Sequence, residues 1–204
     1  MTITRIIFAI ASAAALSACN IVVSDKPMFG EAADASQFRP GIWLGEQDEP
    51  CEIDTDAPFE DWPACANAMI IDEDGDFIQI DEETGERERG EVSYSHGSPS
   101  LIELLVEENP MDKGTPLESE LYLYLAYRPT SRDAAGLVTE FAGWLVSCGP
   151  TDKGKFVTEH PFAGLRLEGE VCVAEDLDAL RNAAAQSEEL EIDISRVRWV
   201  READ

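Results

Sequence analysis

Basic residues are scarce in this 204-residue chain: 15 lysines and arginines stand against 42 aspartates and glutamates, for a formal net charge of −27. The isoelectric point follows at about 4.1. A surface of that sign repels phosphate backbones and anionic headgroups, so nucleic-acid binding and basic-patch docking on lipid are not expected. Histidine is scarcer still, with only His96 and His160. The chain also lacks a C-x-x-C pair, an H-E-x-x-H helix, a G-x-x-x-x-G-K-[ST] loop, a dinucleotide fingerprint and a G-x-S-x-G elbow. Thiolate zinc sites, zinc-protease chemistry, nucleotide binding and serine-hydrolase chemistry therefore have no carrier motif. No cofactor or metal is expected. Nor does any apolar run reach the length of roughly 18 residues that a membrane-spanning helix requires.

What is present is enough to fold. At 44% hydrophobic and 8% aromatic residues, the body can bury a core of ordinary size despite its charge.

The first 20 residues have a pattern of their own. Arg5 is the only charged residue before Asp25, and an apolar run from Ile6 to Leu16 follows it. As a helix those eleven residues rise about 16 Å, half of a bilayer core and the size of a signal-peptide apolar region. Small residues then lead to a cysteine: Leu16-Ser17-Ala18-Cys19. This tetrapeptide resembles the lipobox of bacterial lipoproteins, a resemblance that covers residues 1–20 and concerns processing. It implies removal of residues 1–18 as a signal peptide and acylation of Cys19 (palmitate among the acyl chains). Asn20, where an inner-membrane protein of that family tends to carry Asp, implies the outer membrane. Two or more acyl chains hold stably where one does not, so the chain is expected to be anchored and not spanning. Residues 19–38 then read as a lipidated tether of roughly 65 Å if fully extended, with Met28 and Phe29 able to dock. Residues 39–204 form the domain.

Apart from Cys19 there are four cysteines, Cys51, Cys65, Cys148 and Cys172. In an exported chain an even number suggests two disulfides with three connectivities. Cys51–Cys65 and Cys148–Cys172 are favoured because each encloses one local segment. The shorter loop gains roughly 3 kcal/mol in the chain-entropy account.

Period-two alternation dominates the body. Strands are expected at Gly41–Gln47, Ala68–Asp72, Asp76–Asp81, Gly90–Ser95, Leu101–Glu107, Leu121–Leu125, Gly136–Ser147 and Leu165–Val173, the last with Gly169 as a bulge. Glu73-Asp74-Gly75 joins two of them as a hairpin turn with glycine at positive φ. The segment Cys51 to Cys65, with Phe59 and Trp62, reads as a loop that caps an apolar surface. At Glu175–Ser187 the period turns helical, with Leu177, Leu180, Ala183 and Ala184 on one side, and Ser195–Arg201 forms a last strand. The expected class is mainly β: an antiparallel barrel or sandwich of about eight strands, one late helix and a final strand.

Gly41-Ile42-Trp43 on the first strand is similar to the G-x-W signature of lipocalins, as is the order of strands, helix and last strand. That resemblance implies a hollow barrel carrying an apolar small molecule, with Trp43, Tyr122, Tyr124 and Trp144 near its cavity. It also implies an arginine from the last barrel strand against Trp43, with Arg166, Arg196 and Arg198 as candidates. The cysteine-closed loop and the acidic turn Asp81–Arg89 depart from the family pattern.

Few residues point to chemistry. Asp72-Glu73-Asp74-Gly75-Asp76 has calcium-loop character but lacks a carboxylate at the first ligand position and lies between strands, which favours a plain turn. His96 between Ser95 and Ser98 has no evident acid to orient it. Arg196, Arg198 and Arg201 stand out in so acidic a chain, either as cross-strand partners of acids or as an anion or partner contact. The expected function is that of a non-enzymatic binding or envelope-interaction module, lipid-anchored at the outer membrane with its domain in the periplasm. Its partner would be a basic envelope protein meeting acidic turns such as Asp81–Glu88. The alternatives are a carrier of an apolar small molecule and, third, an envelope hydrolase.

Overall fold

Alternating apolar residues form strands along most of the computed structural model, which describes residues 20–30, 33–46, 50–80, 87–108, 116–150, 158–168, 171–190 and 194–203. Among these lie β1 (Val23–Ser24), β2 (Gly41–Gly45), β3 (Ala68–Ile71), β4 (Phe77–Ile80), β5 (Arg87–Gly90) and β6 (Val92–Ser95). They are followed by β7 (Ser100–Glu108), β8 (Pro116–Arg132), β9 (Val138–Leu145), β10 (Leu165–Glu168), β11 (Val171–Ala174), helix α1 (Leu177–Glu189) and β12 (Ser195–Arg201). Every pairing between these strands is antiparallel.

Nine strands follow one path, β5-β4-β3-β2-β12-β9-β8-β7-β6. Its two edges, β5 and β6, are separated in the chain by Glu91 alone. Together they act as one bent strand that pairs with β4 through its first half and with β7 through its second. The sheet therefore curls into a nearly closed barrel, which removes the open edges a flat sheet would leave. The mainly β architecture, the single late helix and the final strand all match the sequence pattern. One element differs: Leu165–Val173 is not one bulged strand but the hairpin β10–β11, with Leu165 opposite Ala174 and Glu168 opposite Val171. Gly169, expected as a bulge, lies outside the described residues.

Alternation sends side chains to two separate cores. Inside the barrel, Trp43, Phe77, Tyr94, Ile102, Leu125, Tyr127, Phe141 and Val197 pack together. Phe38 plugs them, its ring 5.0 Å from Tyr127, 5.1 Å from Phe141 and 5.6 Å from Trp43. Outside, Leu101, Tyr124, Ala126 and Trp144 meet Leu180, Ala183 and Ala184 of α1 together with Val22 and Phe29. Asp176 caps α1 by accepting the Ala179 N–H at 2.8 Å, and the Trp144 indole donates to the Ala184 carbonyl at 2.9 Å. A third cluster places Phe59 of the cysteine-closed loop over Ile42 and Ile70, so that loop does cap an apolar surface. Gly75 takes φ 93° in its turn.

The segment expected as a tether lies against the barrel over its described length. Val23 pairs with Leu123 and Ser24 with Tyr122, and Val22, Val23, Phe29 and Phe38 are buried. Short apolar runs in this segment (Ile21-Val22-Val23 and Met28-Phe29) supply the apolar contacts that a free linker lacks.

Candidate functional site

A carrier of an apolar small molecule needs an enclosed cavity of roughly a few hundred Å³ lined by apolar side chains. A cavity of about 40 Å³ opens beside Met69, Phe77, Ile102, Leu125, Phe141 and Val197. That holds a water or two, whereas small-molecule sites run to at least about 300 Å³. Phe38, Trp43, Tyr127 and Phe141 pack ring against ring in the inner core. Of the four residues expected near a carrier's cavity, none lines this one. Trp43 is embedded in the inner core, whereas Tyr122, Tyr124 and Trp144 are on the outer face of the sheet with α1. The alternating Leu-Tyr run shows that leucines and tyrosines face opposite ways, but not which set faces in. No arginine expected from the lipocalin resemblance meets Trp43 either. Arg166 pairs with Glu168 at 2.6 Å, and Arg196 and Arg198 are exposed on β12. Trp43 instead donates its indole N–H to the Arg39 carbonyl at 3.0 Å, while the Arg39 guanidinium lies 3.8 Å over the Trp199 ring.

A buried polar network lies under the N-terminal segment. Glu103, on the outer face of β7, is 3% exposed. Its carboxylate accepts the Met28 N–H at 2.5 Å and the Tyr124 hydroxyl at 3.2 Å, and the Phe29 N–H also bonds to it. Ser24 Oγ lies 2.5 Å from the Tyr124 hydroxyl. Burial pushes the Glu103 carboxyl above its ordinary value, opposed by these hydrogen bonds. Burial likewise raises the Tyr124 hydroxyl. A lone acid inside the apolar run Leu101–Val106 was the signal for this group, and the sequence pattern alone passed over it.

Around His96 the geometry is structural. The Asp34 carboxylate accepts the His96 backbone N–H at 2.6 Å, so it does not orient the ring, and His96 Nε2 donates to the Ala35 carbonyl at 2.9 Å. Ser95 Oγ accepts from Arg181 at 2.8 Å, and Ser98 Oγ from Arg128 at 3.3 Å. Neither serine is bonded to the imidazole, so these contacts assemble no nucleophile–base pair.

The acidic turn already holds a cation of its own. Arg89 of β5 reaches Asp72 at 2.7 Å, Asp74 at 3.2 Å and Asp76 at 2.8 Å. Asp72 Oδ1 also accepts the N–H groups of Asp74 and Asp76. The calcium-like spacing is thus that of a turn closed by a guanidinium. Among the described residues no group of three His, Cys, Asp or Glu is placed to hold a metal ion.

The C-terminal arginines divide. Arg201 donates to the Thr55 carbonyl at 3.0 Å and the Ala57 carbonyl at 2.8 Å, clamping the cysteine-closed loop to β12. Arg196 and Arg198 project from the outer face, Arg196 opposite Ala142 and Arg198 opposite Glu140. Among the described residues no carboxylate forms an ion pair with either. Arg128, also opposite Ala142, binds Glu188 of α1 through Nε at 2.9 Å and Nη2 at 2.6 Å, and this holds the Glu188 carboxyl below its usual range.

Both disulfides form as expected. Cys51–Cys65 and Cys148–Cys172 each have Cα atoms 5.8 Å apart. Cys19 and residues 1–18 lie outside the described residues, as does most of the acidic turn that begins at Asp81. Among the described residues no helix is long and apolar enough to cross a membrane. In comparisons with known proteins the chain matches no family model, no curated protein and no solved structure.

Proposed function

We infer that this chain is a non-enzymatic envelope-interaction module, lipid-anchored at the outer membrane through Cys19 with its barrel in the periplasm. The observation that carries the reading is the packed barrel interior: its aromatic and aliphatic side chains form one core, and the cavity beside Met69 and Phe77 offers only about 40 Å³, which favours recognition on the outer surface. The lipobox resemblance supplies the address, and two disulfides suit an oxidising compartment.

Much of that surface is already covered. Helix α1 and the N-terminal segment lie over β7 to β9, and the cysteine-closed loop lies over β2 and β3. On the outer face of β12, Arg196 and Arg198 are exposed, and among the described residues neither forms an ion pair. In a chain of charge −27, two such cations favour an anionic group on the partner while the surrounding acids exclude most anions. That narrows binding to a partner able to meet both signs.

Photo-cross-linking in intact cells from Arg198, replaced by a photoreactive residue, tests this. Discrete adducts are expected, and they should be lost when Arg196→Glu is added. A face that yields no adduct, while other surface positions do, would overturn the assignment of β12.

A further inference from the structure

A second, smaller sheet stands outside the barrel path. It consists of the hairpin β10–β11, with Val22 bridged in parallel to Cys172 of β11. The disulfide from Cys172 to Cys148 ties it to the chain that leaves β9. β11 therefore has a neighbour on each side, whereas among the described residues no strand pairs with the other edge of β10. An edge of that kind is an open template for another strand. Arg166, Leu167 and Glu168 are all exposed along it.

The register decides which groups this edge offers. Glu175 N–H donates to the Gly164 carbonyl at 3.0 Å, one step beyond the Leu165–Ala174 pair. Main-chain groups of successive strand residues point to alternate sides. Gly164, Arg166 and Glu168 thus turn theirs toward β11, and Leu165 and Leu167 turn theirs toward the open edge. Leu165 N–H is already bonded to the Phe162 carbonyl at 3.0 Å. The N–H and carbonyl of Leu167 have no partner among the described residues.

Charge then selects the partner. One cation and one anion, Arg166 and Glu168, flank Leu167 symmetrically. A second strand of the same sequence can be laid antiparallel with the partner's Leu167 opposite Leu167. Each Arg166 then faces a Glu168 of the other copy, twice over. The two leucines exchange both of their main-chain bonds. The flanking pairs fall at the closer, non-hydrogen-bonded positions, with Cα atoms about 4.5 Å apart, where opposite charges attract and like charges repel. The described strands of the hairpin carry no other charged residue. In a chain of charge −27, two copies can meet here without facing acid with acid.

We propose that β10 is a self-complementary dimer contact: two copies of the chain pair edge to edge across a two-fold axis at Leu167, which joins their hairpins into one sheet. Reversing the charges tests it. Sedimentation equilibrium of the full chain, in detergent matched to the solvent density, should show monomer and dimer in exchange. Arg166→Glu sets glutamate against glutamate and Glu168→Arg sets arginine against arginine, and each should weaken the dimer roughly tenfold or more. The double reversal R166E/E168R recreates both pairs and should restore it. Both side chains are exposed, so the variants are expected to fold, with both disulfides formed. As a second readout, R166C/E168C treated with diamide should give a disulfide-linked dimer, while either single cysteine, out of register with its counterpart, should not. A native chain that stays monomeric, a dimer that neither single reversal weakens, or a folded double reversal that fails to recover would overturn the pairing.

Discussion

The carboxylate of Glu103 accepts the backbone N–H of Met28 at 2.5 Å, across 75 residues of chain. This contact helps hold an N-terminal segment of linker-like composition against the outside of the barrel. Burial raises the Glu103 carboxyl above its ordinary 4.5. The folded state thus holds a proton there more tightly than the unfolded chain does. The associated stability is fully present below pH 4.5 and is lost as pH rises through the folded value. Melting temperature followed against pH should therefore fall for the native protein relative to Glu103→Gln over that window. Parallel curves would contradict the assignment.

Arg201→Ala should free the cysteine-closed loop, because the Thr55 and Ala57 carbonyls both accept from this guanidinium. Hydrogen bonds to charged groups contribute about 1.5–3 kcal/mol each when buried, and partial exposure here reduces that, so a loss of about 1–3 kcal/mol in urea unfolding is expected. Limited proteolysis should cut within residues 51–65 sooner, between cysteines that stay joined.

Arg89→Ala should leave Asp72, Asp74 and Asp76 facing one another without their shared cation. The melting temperature is expected to drop, and the drop should shrink as salt is added, since screening weakens like-charge repulsion. A salt-independent loss would mean that Arg89 acts through packing instead.

Asp176→Ala removes the side-chain acceptor of the Ala179 N–H at the start of α1. Caps of this kind contribute about 1 kcal/mol, within a range of about 0.5–2. The expected loss is of that size in urea unfolding. Amide exchange should quicken first in the opening turn of the helix.

The sequence made the strands legible because period-two alternation follows from which face is buried, and the change of period at Glu175 marked α1 for the same reason. Disulfide partners were legible because local pairs close short segments. The phase of the Leu121–Leu125 run was not, since leucine and tyrosine both bury well and only tertiary contacts decide which set faces in. The hairpin β10–β11 hid because one glycine within a run of strand formers fits a bulge as well as a reversal. Met28 and Phe29 were legible as docking residues, Phe29 lying 6.1 Å from Tyr124 between ring centroids and Met28 donating to Glu103, whereas the burial of Val22, Val23 and Phe38 hid in long-range partners such as the barrel core around Phe38. Composition alone resembles a linker there. The candidate site was legible in one respect. Arg196 and Arg198 share a face by simple alternation, and the structure adds that both are exposed there and form no ion pair among the described residues.

Cys19 governs the whole account, and membrane fractionation of Cys19→Ala tests it most directly. With Cys51–Cys65 and Cys148–Cys172 still formed, the variant should move entirely from the outer-membrane fraction to the soluble periplasmic fraction. Retention of the folded, disulfide-bonded variant in the membrane fraction would contradict the anchor.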